Sequence, residues 1–128
     1  MPDSTDLLLI DVEGQTRSYA LSGPGTPARI CARALLDTPQ VIHKLNHPAG
    51  RLAILGGLHR HRKRPNFHAS VLAHTLGGPV EDLRGSILFA GLTPNDELTA
   101  LPPGIRAIAK DTFTPPATPQ STPIPGIN

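Results

Sequence analysis

The run His59-Arg60-His61-Arg62-Lys63-Arg64-Pro65-Asn66-Phe67-His68 gathers the side chains of this chain best suited to chemistry. Arg60, Arg62, Lys63 and Arg64 are cations at neutral pH. A guanidinium grips a phosphate or carboxylate through two parallel N–H donors, and an ammonium acts as a point charge. His59 and His61 add charge as pH falls below about 6.5, the ordinary value for an imidazole. The run lies inside a stretch, 38–80, that holds all six histidines, half of the 12 Lys and Arg residues, and no Asp or Glu. Acids occupy 3–37 and 81–111 instead. Formal net charge is only +2, so the information is in the asymmetry. The candidate anion-binding set is His59, Arg60, His61, Arg62, Lys63, Arg64 and Asn66, with Lys44 and Arg51 as further cations of the same stretch. If the segment is extended, His59, His61 and Lys63 face one way and Arg60, Arg62 and Arg64 the other. Full protonation of the histidines would add six charges to this stretch.

Other chemistries fit less well. His59-x-His61 with His68 or His74 supplies imidazoles for a metal, but the neighbouring cations repel a divalent ion, and no carboxylate or thiolate stands nearby in the sequence. His68 and His74 are six residues apart, which does not put both on one helical face. No metal and no cofactor are expected. A histidine with an acid, such as His43 with Asp96, could serve acid–base catalysis, yet nothing selects that pair, and no catalytic residue is assigned. Ser22-Gly23-Pro24-Gly25 lacks the Gly-Lys-Ser/Thr ending of a phosphate loop and reads as a turn. Phe67 could stack on a base, but helical spacing places it in a core stripe. Asn66 could point into a site, but the position favours a helix N-cap. Cys31 is the one cysteine, which excludes an internal disulfide and fits a reducing cytoplasm. It falls on an apolar helical stripe, as a buried structural thiol would.

These residues must be positioned by a core of Leu, Ile, Val and Ala, because the chain has three Phe, one Tyr and no Trp among its 128 residues. Leu7–Val12 is an apolar run suited to a buried strand; Glu13-Gly14-Gln15 turns it, and Thr16–Leu21 returns as a hairpin partner. Thr26 caps a helix with Pro27 at its first position; Ala28 to Leu36 continue it, and Asp37-Thr38-Pro39 stop it. Gln40–Leu45 and Arg51–Leu55 flank His47-Pro48-Ala49-Gly50 as a second hairpin. The basic segment follows as a loop or strand extension. Asn66 caps a helix over 67–76 whose stripe is Phe67, Val71, Leu72 and Leu76, and Gly77-Gly78-Pro79 ends it. Ser86–Ala90, between Gly85 and Gly91, is a central strand. Asn95–Leu101 suggests a helical turn and Ile105–Lys110 a short helix. The order β-β-α-β-β-α-β predicts an α+β fold, a small, mostly antiparallel sheet with two main helices, as one domain over 1–111. Residues 112–128 read as a flexible, Pro-rich tail. No stretch approaches the ~18 apolar residues of a membrane span, and Leu7–Ile10 is too short for a signal-peptide core. A soluble, cytoplasmic protein is expected.

The hairpin and helix, the following strand pair, the Pro-Asn-x-x-Ala opening of the second helix (Pro65-Asn66-Phe67-His68-Ala69) and the Gly-flanked strand Gly85-Ser86-Ile87-Leu88-Phe89-Ala90-Gly91 resemble a family of small domains of unknown function, common in phages and mobile elements of Gram-positive bacteria. The likeness covers about 7–101. It implies a compact α+β accessory domain and brings no reaction. The basic run and the tail fall outside the pattern.

The expected function is a non-enzymatic accessory protein that binds nucleic acid or an acidic protein surface through the His/Arg segment. A structural or assembly protein, homo-oligomeric with its tail docked on neighbouring subunits, is one alternative. A small histidine-dependent hydrolase is the other.

Overall fold

Leu7-Leu8-Leu9-Ile10 forms β1 (Leu7–Ile10), and its two faces enter different cores. In the computed structural model, which describes residues 6–21 and 26–113, the other elements are β2 (Thr16–Tyr19), α1 (Pro27–Leu35), β3 (Pro39–His47), β4 (Gly50–Gly57), a 3₁₀ turn (Arg60–Arg62), α2 (Phe67–Thr75), β5 (Ile87–Leu92), β6 (Leu98–Thr99) and α3 (Pro103–Phe113). The sheet order is β2-β1-β5-β4-β3, with every pairing antiparallel. β6 folds back on the end of β5, where Gly91 pairs with Leu52 of β4 on one side and Thr99 on the other. A side chain at Gly91 would run into the Ala100 carbonyl, so glycine is what lets β6 approach.

The fold is α+β, as expected, built from three successive hairpin–helix units. The central strands are apolar on both faces because helices cover both. Leu7, Leu9, Ala53, Leu55, Leu88 and Ala90 pack with Ile30, Cys31, Ala34 and Leu35 of α1. Ile10, Leu52, Ile54, Ile87 and Phe89 pack on the opposite face with α2 and α3, the latter through Ile105 and Ala109. β5 is wholly buried at the centre.

The helix starts follow the sequence signals. Thr26 Oγ1 accepts from Arg29 N–H at 3.2 Å with Pro27 at the first helical position, and Leu36 closes α1 in the left-handed region at φ 57°. Three details depart from the sequence reading. The buried stripe of α2 is Ala69, Leu72, Ala73 and Leu76; Phe67 is 71% exposed and Val71 is 38% exposed. Residues 95–101 form no helical turn. Thr93 Oγ1 accepts from Asn95 and Glu97 N–H, Asp96 takes φ 64°, and the chain reverses into β6. The last helix spans Pro103–Phe113, so Thr112 belongs to α3 rather than to a tail. The Ser22–Gly25 turn and the rest of the Pro-rich tail lie outside the described residues. No helix among the described residues is long and apolar enough to cross a membrane.

Candidate anion-binding site

The basic run leaves the end of β4 as a 3₁₀ turn, not as an extended strand. Arg62 N–H donates to His59 O at 3.2 Å and Lys63 N–H to Arg60 O at 2.9 Å. The expected alternation of His59, His61 and Lys63 against the arginines is therefore lost, since a 3₁₀ turn repeats every three residues. Asp37, just past α1, fixes the start of the turn. Its Oδ2 accepts from His59 N–H at 2.8 Å, and its Oδ1 lies 3.0 Å from His59 Nδ1 and accepts from Thr38 N–H at 2.7 Å. The His59 backbone and then its side chain hold the Asp37 carboxyl down at about 2. Gly57 has no side chain because Asp37 occupies that space. Arg60 folds back onto the sheet, donating to Gln40 Oε1 at 2.9 Å and Gly57 O at 3.1 Å.

His59 and Arg60 thus hold the turn in place. His61, Arg62, Lys63 and Arg64 are exposed. Among the described residues, the side chains of His61, Arg62 and Lys63 have no hydrogen bond or ion pair, and Arg64 has a loose contact of 3.8 Å with Glu13. Arg84 joins them. Segments 64–66 and 83–85 run antiparallel, with Gly85 N–H donating to Arg64 O at 3.0 Å and Asn66 N–H to Leu83 O at 2.7 Å, and Arg84 Nη1 donates to Lys63 O at 2.9 Å. Sequence reading missed Arg84, because only this long-range pairing brings it to the turn. A cleft of about 320 Å³ runs between the turn and the end of α1, lined in part by Val12, Leu36, Lys63, Arg64 and Ser86.

Several sequence-assigned residues lie elsewhere or are already engaged. Asn66 is fully buried, and every side-chain donor and acceptor is used. Its Nδ2 donates to Ile10 O and Gly85 O, both at 2.8 Å, and its Oδ1 accepts from Ala69 N–H at 3.0 Å. It is an N-cap and a tie between strands, with nothing left for an outside anion, and it leaves the candidate set. Arg51 and Lys44 sit at the other end of the β3–β4 hairpin; from Arg51 to Gly57 the strand covers about 20 Å. Both meet Asp96, Arg51 at 2.7 Å and Lys44 at 3.4 Å, and first Arg51, then Lys44, lowers the Asp96 carboxyl below its ordinary range. His43 faces Glu81 at 3.1 Å, so the conceivable His43–Asp96 pair does not form. The acid-free stretch is hence partly compensated in space by Asp37, Glu13, Glu81 and Asp96 from outside it. The histidines also disperse: His47 accepts from Ala49 N–H in the far hairpin, His74 approaches Gly78 O at 3.4 Å, and His68 packs over Gly14. Only His59 and His61 belong to the turn.

The described residues contain no group of three or more His, Cys, Asp or Glu side chains able to hold a metal ion. Cys31 is buried in the α1 core, and burial pushes its thiol up to about 11, as suits a structural residue. Compared with family models, curated proteins and solved structures, the chain matches none of them.

Proposed function

We propose that this is a non-enzymatic binding protein whose basic turn engages the phosphate backbone of a nucleic acid. The observation that carries the reading is the run Arg62, Lys63 and Arg64, exposed and almost without acidic partners, following a turn anchored by His59 and Arg60, with the exposed Arg84 bonded to the Lys63 carbonyl. Side chains already committed to internal bonds hold the backbone, while their neighbours keep free donors, so little ordering remains to be done on binding. A phosphate backbone presents repeating charges at a spacing that several adjacent cations can meet together. The resemblance to small phage and mobile-element domains adds an accessory role to this reading.

The test is fluorescence anisotropy with a labelled oligonucleotide at low salt. The full chain binds, and a chain carrying Arg62→Ala, Lys63→Ala and Arg64→Ala together, with unchanged circular dichroism, loses most of that binding. A wild-type chain that leaves the oligonucleotide free at low salt refutes the proposal.

A further inference from the structure

Phe67 opens α2 with 71% of its surface exposed, although Leu72 and Leu76 of the same helix are buried to within 2%. The fold does not need the ring where it stands, since Ala69, Leu72, Ala73 and Leu76 supply the buried stripe. Yet the ring is positioned. It stands edge-on to the His68 imidazole, with centroids 6.0 Å apart and planes at 82°. That imidazole lies over Gly14 so closely that a Cβ there would come within 2.7 Å of it. Val71 and Val80, 38% and 81% exposed, extend the apolar shelf beside the ring. The antiparallel pairing of 64–66 with 83–85 sets Arg84 across from Pro65, two residues before Phe67, and its guanidinium reaches the Lys63 carbonyl. Arg64 and Phe67 are three residues apart, so their backbones lie within about 11 Å.

We infer that Phe67 and the basic turn form one surface for single-stranded nucleic acid, with a base stacked on the Phe67 ring and the adjoining phosphates on Arg84, Lys63 and Arg64. The inference rests on the reading of the turn as a phosphate-binding element and specifies which nucleic acid it takes. An exposed aromatic beside a row of cations suits an unpaired strand because every base offers a π-face, whereas the bases of a duplex are already stacked on each other. Charge also sets the direction of the strand. Glu81 and Asp82 line the shelf together with Phe67 and repel phosphates there, whereas Arg84 stands opposite Pro65, so the phosphates next to a stacked base are favoured on the Arg84 side.

The test compares a labelled single-stranded oligothymidylate of about 12 nucleotides with a duplex of equal length, using the full chain. Phe67→Ala, which removes a mostly exposed side chain, weakens single-strand binding by about tenfold or more and leaves duplex binding unchanged. The chain contains no Trp, so Phe67→Trp provides a single tryptophan, excited selectively over Tyr19, that the single strand quenches at saturation. Equal single-strand affinity of wild type and Phe67→Ala overturns the inference, as does preference for the duplex or an unquenched Trp. In those cases, loss of binding in the Arg62/Lys63/Arg64 alanine chain would leave the phosphate-binding reading standing. Failure of both oligonucleotides to bind the wild type, or binding of polyglutamate alone, sinks both.

Discussion

Asn66→Ala should destabilise the fold by about 3 kcal/mol. The Oδ1 acceptor on Ala69 N–H is an N-cap, worth about 1 kcal/mol. Each Nδ2 hydrogen bond, to Ile10 O and to Gly85 O, adds about 1 kcal/mol net. The site is fully buried, so water does not replace the lost partners, and the exposed-solvent discount for a surface asparagine does not apply. The two carbonyls belong to the end of β1 and the entry to β5, so one side chain joins both strands to the start of α2. Urea unfolding followed by far-ultraviolet circular dichroism should show an unchanged slope and a midpoint lower by about 1–2 M. Asn66→Asp gives a sharper version. It keeps the cap acceptor but turns a carboxylate oxygen toward two carbonyl oxygens. Burial and those dipoles raise the folded-state pKa above the unfolded value of about 3.9, so the variant is least impaired below about pH 4 and loses stability as pH rises. An alanine variant within about 0.5 kcal/mol of wild type, or an aspartate variant equally stable across that range, would refute the role assigned to Asn66.

Three further outcomes follow from the packing and the site. Leu72→Ala, at a fully buried position, should cost about 2–5 kcal/mol, whereas Phe67→Ala should cost under about 0.5 kcal/mol; comparable urea midpoint shifts would show that α2 is rotated from the orientation described. The Asp37 carboxyl, held at about 2 in the folded chain, contributes stability that is complete above its unfolded value of about 3.9 and is lost as pH falls toward 2; Asp37→Asn should flatten the stability profile in that window, and an unchanged profile would contradict the clamp on His59. Cys31, with its thiol up at about 11, should resist a thiol reagent at mildly alkaline pH in the native protein and react promptly in denaturant; fast native labelling would place it outside the core.

Much of the fold was legible because local signals and the tertiary structure agree. Thr26-Pro27 and Asn66 start helices where caps should, and the apolar run of β5 lies at the sheet centre. The face of α2 was legible only in part: Leu72 and Leu76 are buried as expected, whereas Phe67 and Val71 are exposed. Apolar residues surround that helix, and the choice between Phe67 with Val71 and Ala69 with Ala73 is made by the bonds from Asn66 to Ile10 and Gly85, distant in sequence. β6 was missed because Thr93, Asn95 and Asp96 carry turn chemistry that suits a helical start as well as a reversal, and only pairing with Gly91 and Leu92 decides. The site was legible as a cluster of charge but not as a geometry. Sequence order shows neither the acids that return to Lys44, Arg51 and His43 nor Arg84 arriving beside Lys63.

The central claim is that free cations of the turn contact phosphates, and the salt dependence of binding tests it most directly. At neutral pH the turn offers Arg62, Lys63 and Arg64, with Arg84 beside it, and four phosphate contacts on a single strand give a slope of log affinity against log salt of about −3. Arg62→Ala or Arg84→Ala should each reduce that slope by about 0.7. A slope near zero, or one indifferent to the loss of these arginines, would contradict the account.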